Sequence, residues 1–470
     1  MHTGTSTVPN TGLYPYQWSW DTAFISYGNA VINIKHARIE LESLFDAQWK
    51  NGLLPHIKFN AAVPESKYYP GPSYWRSSTE SGGLAPSTPE TSGIVNPPVH
   101  AGAVLNILLL DSSTDTLDWA GRIVPKVAKF IKYLVSQRDP DSNDLVYVRH
   151  PWENGMDNSP VWDTVLDDMP NIPKCKNHSL PLGQVPLGCV IPPYKRVDLK
   201  PGVDPKDRPT NLTYDRFTFL MICARNRTYN EALISANDGC PFLVEDVFFN
   251  VLVAQASQAM ANIIARLARF GRSVNIDPAE YWLNLATRIR QAIASTLWEP
   301  SIKMYASRNQ RTGKLLPTGT IGGLSPLMLS AVNDKDDFMR RATLIQQLQS
   351  PGFALPYPVP TFDATVTGPR GFSPQLYWRG PTWYNTDWLM LRGLQTSGTT
   401  ITLANKLKSA MYKLIDNDAG QSPFAEYWDP RNGKPHGTGG KGTGGFSWTA
   451  ALFLDIFCPQ ISVAMNGLNS

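Results

Sequence analysis

Apolar residues recur along this chain at helical spacing, in segments separated by connections too long and too rich in aromatic, Gly and Pro residues to be simple turns. Ile123, Val124, Val127, Phe130, Ile131 and Leu134 follow the i, i+3, i+4, i+7 rule of an amphipathic helix. Residues 246–270 repeat the pattern through Val247, Val251, Leu252, Ile263, Ile264, Leu267 and Phe270, and close at Gly271. Asp277-Pro278 predicts an N-cap and first helical position for a segment through Leu285, Ile289 and Leu297. Leu403, Leu407, Met411, Leu414 and Ile415 mark another helix, ended near Gly420. Residues 58–98 and 169–210 form two long connections, and loops of that length inside a compact fold usually serve as functional walls or lids. Short strand-like stretches such as Lys303-Met-Tyr-Ala-Ser predict hairpins on the loop side. The expectation is an all-α fold: a toroid of paired helices with long loops and short β-hairpins on one face, formed by residues 1–470 as a single domain. A linear solenoid is the competitor, but no regular repeat of 34 or 40 residues is present.

Composition narrows the partners. Aromatics make up 11% of 470 residues and charged residues only 17%, which argues against a disordered chain or a long coiled coil. Net charge is +4, and the 43 Lys and Arg are scattered, so no basic stripe invites nucleic acid. No apolar run of membrane-spanning length occurs, so no membrane partner is expected. The N-terminus lacks a basic start followed by an apolar stretch, and localisation leans cytoplasmic. Five Cys, at 175, 189, 223, 240 and 458, form a sparse, odd set, for which unpaired thiols are the expectation. Cys175-x-x-His178 with Cys189 suggests zinc, but the segment supplies no fourth ligand. The sequons at Asn177, Asn211 and Asn226 are expected by chance.

Two segments carry the chemistry. Trp152-Glu-Asn-Gly-Met-Asp157-Asn-Ser-Pro and Phe424-Ala-Glu426-Tyr-Trp-Asp429 each set a carboxylate among aromatic and turn-forming residues. Hydrolysis of a glycosidic bond needs two carboxyl groups in different protonation states. Indoles beside Asp157 would strip its hydration and keep a proton on it, while Glu426 could stay ionised and activate water. The plain alternatives are a helix cap for Asp157 and a surface glutamate for Glu426. Sugar rings present apolar C–H faces and hydroxyls, so a sugar site combines flat aromatic platforms with carboxylates or amides. Tyr14-Pro-Tyr-Gln-Trp18-Ser-Trp20-Asp21 offers that mix; otherwise its Trp residues are core anchors and Asp21 a helix cap. Tyr377-Trp378-Arg-Gly380-Pro-Thr-Trp383 is a second cluster, whose Gly380-Pro381 turn and helix start would aim Trp378 and Trp383 at a cleft mouth. The competing reading is a packed loop held by Arg379. Gly437-Thr-Gly-Gly-Lys441-Gly-Thr443 fails as a phosphate loop, because Gly follows the Lys and no strand precedes it, and reads as a mobile connection into a helix from Phe446. No zinc-protease, dinucleotide or nucleophile-elbow fingerprint occurs.

In this order, the motifs resemble glycoside hydrolase family 63, on the branch containing mannosylglycerate and glucosylglycerate hydrolases. The match rests on Tyr14-x-x-x-Trp18-x-Trp20-Asp21, on Glu42-Ser-Leu-Phe-x-Ala-Gln-Trp49-x-x-Gly52-x-x-Pro55-His56, and on Trp152-Glu-x-Gly-x-Asp157-Asn-Ser-Pro. It continues through Tyr377-Trp-Arg-Gly-Pro-x-Trp383 and through Glu426-Tyr-x-Asp-Pro followed by Phe446-Ser-Trp-Thr-Ala-Ala. Trehalases share a more distant echo of the acid and base segments. The resemblance implies an (α/α)6 barrel, inversion of configuration, Asp157 as general acid and Glu426 as general base. It implies a sugar pocket formed by Trp18, Trp20, Asp21, Trp152, Trp378 and Trp383, with Tyr14, Tyr377 and Gly380 of the same motifs. Tyr68, Arg208 and Tyr214 would hold a glycerate aglycone, a role for which the planar fork of Arg suits a carboxylate.

Segment 169–207 is longer than the family pattern, which bears on the aglycone side, and Gly445 stands where many relatives have a polar residue. The chain starts almost at the first motif, so no preceding β-rich domain is expected. The expected function is hydrolysis of a small α-glucoside or α-mannoside without metal or organic cofactor. Oligosaccharide trimming and sugar binding without catalysis are the alternatives. Self-association is open, since a toroid can pair through its loops or remain alone.

Overall fold

The computed structural model describes residues 4–169, 172, 190–199, 204–330, 335–416, 424–438 and 445–457. Among these, helices dominate, and eleven of them run eleven residues or more: α1 (Ser19–Ile32), α2 (Ile34–Phe45), α3 (His100–Leu110), α4 (Thr114–Gln137), α5 (Asn211–Asn226), α6 (Val247–Arg269), α7 (Ala279–Thr296), α8 (Lys335–Leu348), α9 (Tyr384–Leu394), α10 (Ile401–Asp416) and α11 (Ser447–Phe457).

Local sequence explains where several of them begin and which face they bury. Ser113 caps α4 by accepting from Thr116 N, and the six apolar residues from Ile123 to Leu134 are all buried. Asp246 caps α6 at Phe249 N (2.8 Å), and Val247, Val251, Leu252, Ile263 and Leu267 are buried along it. Phe270 departs from that pattern: it lies just past the last turn of α6 and is exposed. Pro278 stands at the N-cap of α7 rather than inside it, and the Asp277 carboxylate pairs with Lys132 instead of capping. In α10, Leu407, Met411 and Leu414 are buried, with Leu403 and Ile415 packed at the edge.

Contacts among the inner helices close on themselves. α1 packs on α3 and α11, α3 on α6, α6 on the turn Ser325–Met328, that turn on α9, and α9 on α11. α2, α4, α7 and α10 pack outside this cycle, against α1, α3, α6 and α9 respectively. α6 is long and apolar enough to cross a membrane by length and composition, but most of that stretch is buried against its neighbours.

The strands are short. Met304–Tyr305 pairs with Trp298–Glu299 as the expected hairpin. Tyr147–Val148, Val244–Glu245, Ser307–Asn309 and Leu315–Leu316 form an antiparallel four-stranded sheet in that order. The long connection 58–98 is not featureless: it holds the turns Glu65–Lys67, Pro72–Trp75 and Ser77–Glu80.

One expectation about cysteine is overturned. Cys223, near the end of α5, and Cys240 form a disulfide with Cα atoms 5.9 Å apart. The chain reverses through Thr228 and Tyr229, both at positive φ, and Cys240 N bonds back to Ile234 O (2.9 Å). The pairing comes from that reversal and not from any Cys spacing, which is why an odd and scattered set concealed it. Cys175, His178, Cys189 and Cys458 lie outside the described residues, as do Asn177 and most of the Gly-rich segment after Gly437.

Candidate active site

The chain entering α1 builds the first wall. Gln17–Trp18 pairs antiparallel with Ile57–Lys58, and Ser19 N donates to His56 O (3.0 Å) while Ser19 Oγ meets His100 Nε2 at 3.0 Å. These bonds hold Trp20 and Asp21 in the first turn of α1. Trp18 makes edge contacts with Tyr14 (5.3 Å) and Tyr68 (5.0 Å), and Trp20 with Trp448 (5.2 Å). Asp21 is buried, and loss of hydration pushes its carboxyl well above the ordinary range, with the Glu426 charge adding to the effect.

The Asp157 segment hangs from the small sheet. After Tyr147–Val148, His150 caps the helical turn Pro151–Asn154 by accepting from Trp152 N (3.0 Å), and Gly155 ends it at φ +80°. Gly155 is required twice over, because a Cβ there would lie 2.4 Å from Trp20 Cζ2 as well as in a left-handed backbone. Glu153 is fully buried and accepts from Arg138 Nη1 (2.8 Å), Arg149 N (2.7 Å) and Val95 N (3.1 Å). Asn154 bonds to Asp246, and Asn158 Nδ2 donates to Tyr377 O (3.0 Å).

Asp157 caps no helix, since His150 and Ser159 take those positions. It stands on the cavity wall, and burial pushes its carboxyl up to about 7; the charges of Glu426 and Asp198 push the same way, while Arg208 opposes them.

Glu426 precedes the strand Tyr427–Trp428, which pairs with Pro435–His436. Far from being a surface residue, it is fully buried. Its carboxylate accepts from Tyr14 Oη (2.9 Å), Arg208 Nη2 (3.2 Å), Thr438 N (2.7 Å) and Thr438 Oγ1 (3.1 Å). Glu426 is not itself part of the cavity wall: Tyr14 and Arg208, which are, stand in front of it. Gly437, at φ +73°, makes room for it, because a Cβ would fall 2.4 Å from Glu426 Oε2.

Eleven of the fourteen expected site residues gather here. Tyr14, Trp18, Trp20, Asp21, Tyr68, Trp152, Asp157, Arg208, Tyr214 and Tyr377 line one cavity of about 80 Å³, and Glu426 backs it. Trp378, Gly380 and Trp383 do not reach the wall. Trp378 and Trp383 are buried and stack on each other at 3.7 Å behind Tyr377, and Arg379 ties the loop to Asp163 (2.9 Å), so the packed-loop reading describes these two indoles. Gly380 forms the expected turn at φ +147°, but α9 starts only at Tyr384, because Thr382 is engaged in a bridge with Trp428.

The wall also holds His56, Tyr69, Asn96, Asp198, Phe446 and Trp448, which were not expected site residues. His56 stacks on Trp152 (6.2 Å, 6°), and burial lowers its pKa to about 3, so the imidazole is neutral. His56, Phe446 and Trp448 belong to motifs already recognised; Asn96 and Asp198 carry no local signal. Among the described residues no group of three or more His, Cys, Asp or Glu is arranged to hold a metal ion.

A raised carboxyl on an aromatic cavity, with a second carboxylate gripped by four donors behind it, is compatible with glycoside hydrolysis, and comparison with known proteins shows the chain to be a glycoside hydrolase. Residues 14–449 match the family model of the mannosylglycerate hydrolase MGH1-like glycoside hydrolase domain. The mannosylglycerate hydrolase of Rubrobacter radiotolerans is 36% identical, covering 97% of this chain and 93% of the relative. The glucosylglycerate hydrolase of Mycolicibacterium hassiacum is 31% identical, covering 96% and 94%. The crystal structure of the GH63 mannosylglycerate hydrolase from Thermus thermophilus in complex with Tris and D-glycerate superposes with a TM-score of 0.79 at 33% identity, covering 97% of this chain and 96% of that one. The chain belongs to the MGH1-like glycoside hydrolase family, within glycoside hydrolase family 63.

Proposed function

We propose that the protein hydrolyses a small α-linked glucoside or mannoside of glycerate, with inversion at the anomeric carbon. The closed cycle of helix contacts is read as an (α/α)6 toroid forming one catalytic domain, with the cavity at its loop face. The single observation that carries the reading is Asp157: a carboxyl on an aromatic wall, pushed up to about 7, keeps the proton that a leaving glycosidic oxygen needs. Glu426 takes the second role. Water competing with the Tyr14 hydroxyl for Oε1 gains a base on the far side of the sugar.

Trp18, Trp20, Trp152 and Tyr377 offer ring faces and edges to the hexose, and Asp21 offers a carboxyl to its hydroxyls. Trp378 and Trp383 serve by holding Tyr377 through edge contacts, and Gly380 by turning the loop that carries them. Tyr68, Tyr214 and Arg208 form the aglycone side, where the planar guanidinium of Arg208 suits a carboxylate. The names of the relatives support glycerate as that aglycone.

The test is a hydrolysis panel of mannosylglycerate, glucosylglycerate, trehalose and kojibiose, with NMR following the first anomer released. Hydrolysis of a glycerate glycoside with the β-anomer appearing first is expected. First release of the α-anomer, or hydrolysis of none of the four, would overturn the proposal. Asp157→Asn should abolish turnover while sugar binding survives.

A further inference from the structure

One carboxylate on the cavity wall belongs to none of the recognised motifs. Asp198 lies in residues 190–199, one of the described stretches of the long connection, and is 7% exposed. The stretch around it is firmly docked. Tyr194 stacks on Tyr69 at 4.5 Å and donates to Asp215 Oδ1 (2.6 Å). Arg196 lies over the Tyr214 ring at 3.8 Å and donates to Pro209 O (2.7 Å). The same guanidinium grips Asp198 through Nε (2.9 Å) and through a second bond from Nη2.

The charge of Asp198 falls on the aglycone side. It helps hold the hydroxyls of Tyr68 and Tyr214 above the ordinary range, after burial, and contributes to the rise of Asp157. Arg208 is the cation on this wall; one N–H of Nη1 donates to Tyr14 (3.1 Å) and one of Nη2 to Glu426 (3.2 Å). An aglycone carboxylate drawn to this guanidinium enters a space that already holds the Glu426 and Asp198 charges.

We propose that Asp198, held by Arg196, is the specificity-determining residue of the aglycone half, limiting the affinity for an aglycone carboxylate while accepting a hydrogen bond from an aglycone hydroxyl. The inference rests on the reading that the cavity takes a glycerate glycoside. Its physical basis is that like charges in a water-poor site repel through a low effective dielectric, and that rejection sets specificity as much as attraction does. The same repulsion favours departure of an anionic product after cleavage.

The experiment compares binding of D-glycerate and of glycerol, by calorimetry or ligand-observed NMR, to the parent, to Asp198→Asn and to Arg196→Gln. Removing the charge in Asp198→Asn should tighten D-glycerate about tenfold relative to glycerol. Arg196→Gln leaves the carboxylate without its counter-charge and should shift the ratio the opposite way. A glycerate-to-glycerol ratio that stays within twofold in both variants, or glycerate binding undetectable in all three proteins, would overturn the assignment. If Asp198→Asn does not fold, Arg196→Gln decides alone by the same criterion. Hydrolysis is scored separately, so a parent that binds glycerate but cleaves no glycerate glycoside refutes the proposed activity and leaves the charge argument intact.

Discussion

Replacing Asp157 by Asn should make the protein inactive and, above neutral pH, more stable. Lifting the carboxyl from its ordinary 3.8 to about 7 makes its ionised form costlier inside the fold than in the unfolded chain. At about 1.4 kcal/mol for each tenfold change, the cost is about 4 kcal/mol, an upper bound since the walls can relax. Because the folded value is the raised one, the parent is favoured below pH 3.8, loses that advantage between 3.8 and 7, and carries the full cost above 7. Asn has the same shape, donates as the protonated acid does, and cannot ionise. Thermal unfolding of parent and Asp157→Asn between pH 4 and 8.5 should therefore give curves that lie close together at pH 4 and diverge through pH 7, with the variant higher. Parallel curves, or a variant less stable at pH 8, would refute the desolvation argument and with it the basis for Asp157 as proton donor. The hydrolysis rate of the parent should fall as pH rises through about 7.

Further outcomes follow from the supports of the two carboxylates. Arg138→Met removes a buried cation that meets Glu153 at 2.8 Å and Glu231 at 3.1 Å, leaving Arg149 as the cation they share, and should cost about 3–5 kcal/mol in denaturant unfolding. Gly437→Ala forces a Cβ toward Glu426 Oε2 in a left-handed backbone, and should lower kcat at least tenfold with only a small change in the affinity for D-glycerate. Peptide mapping without reduction should recover Cys223 joined to Cys240, and Cys223→Ser should lower stability by about 2–4 kcal/mol.

Much of the helical framework was readable from spacing alone. The buried faces of α4 and α6 are those that the apolar pattern marks, because a helix between layers must turn its apolar stripe toward its neighbours. Boundaries were less legible where side chains had other partners, as with Asp277, drawn to Lys132 instead of capping α7. The site was legible to the extent that its residues sit in motifs: Trp20 and Asp21 follow one capless helix start, and Asp157 follows one left-handed glycine. Asp198 and Asn96 could not be found that way, because neither stands in a pattern and only the folding of distant segments brings them to the wall.

Linear order by itself determined the helical class, the segments that carry acids and aromatic residues, and the family to which their sequence of motifs points. Periodicity and short motifs are local, so they survive in a chain read one residue after another. Tertiary structure alone decided which aromatic groups face the cavity and which become its backing: Trp18 and Trp20 reach the wall, whereas Trp378 and Trp383 stack beneath it. It also decided that Glu426 lies behind Tyr14 and Arg208, and that Cys223 meets Cys240. Those outcomes depend on which surfaces meet after residues far apart in the chain converge, and the energy that selects them, exclusion of water from aromatic faces and pairing of buried charge, exists only in the packed molecule.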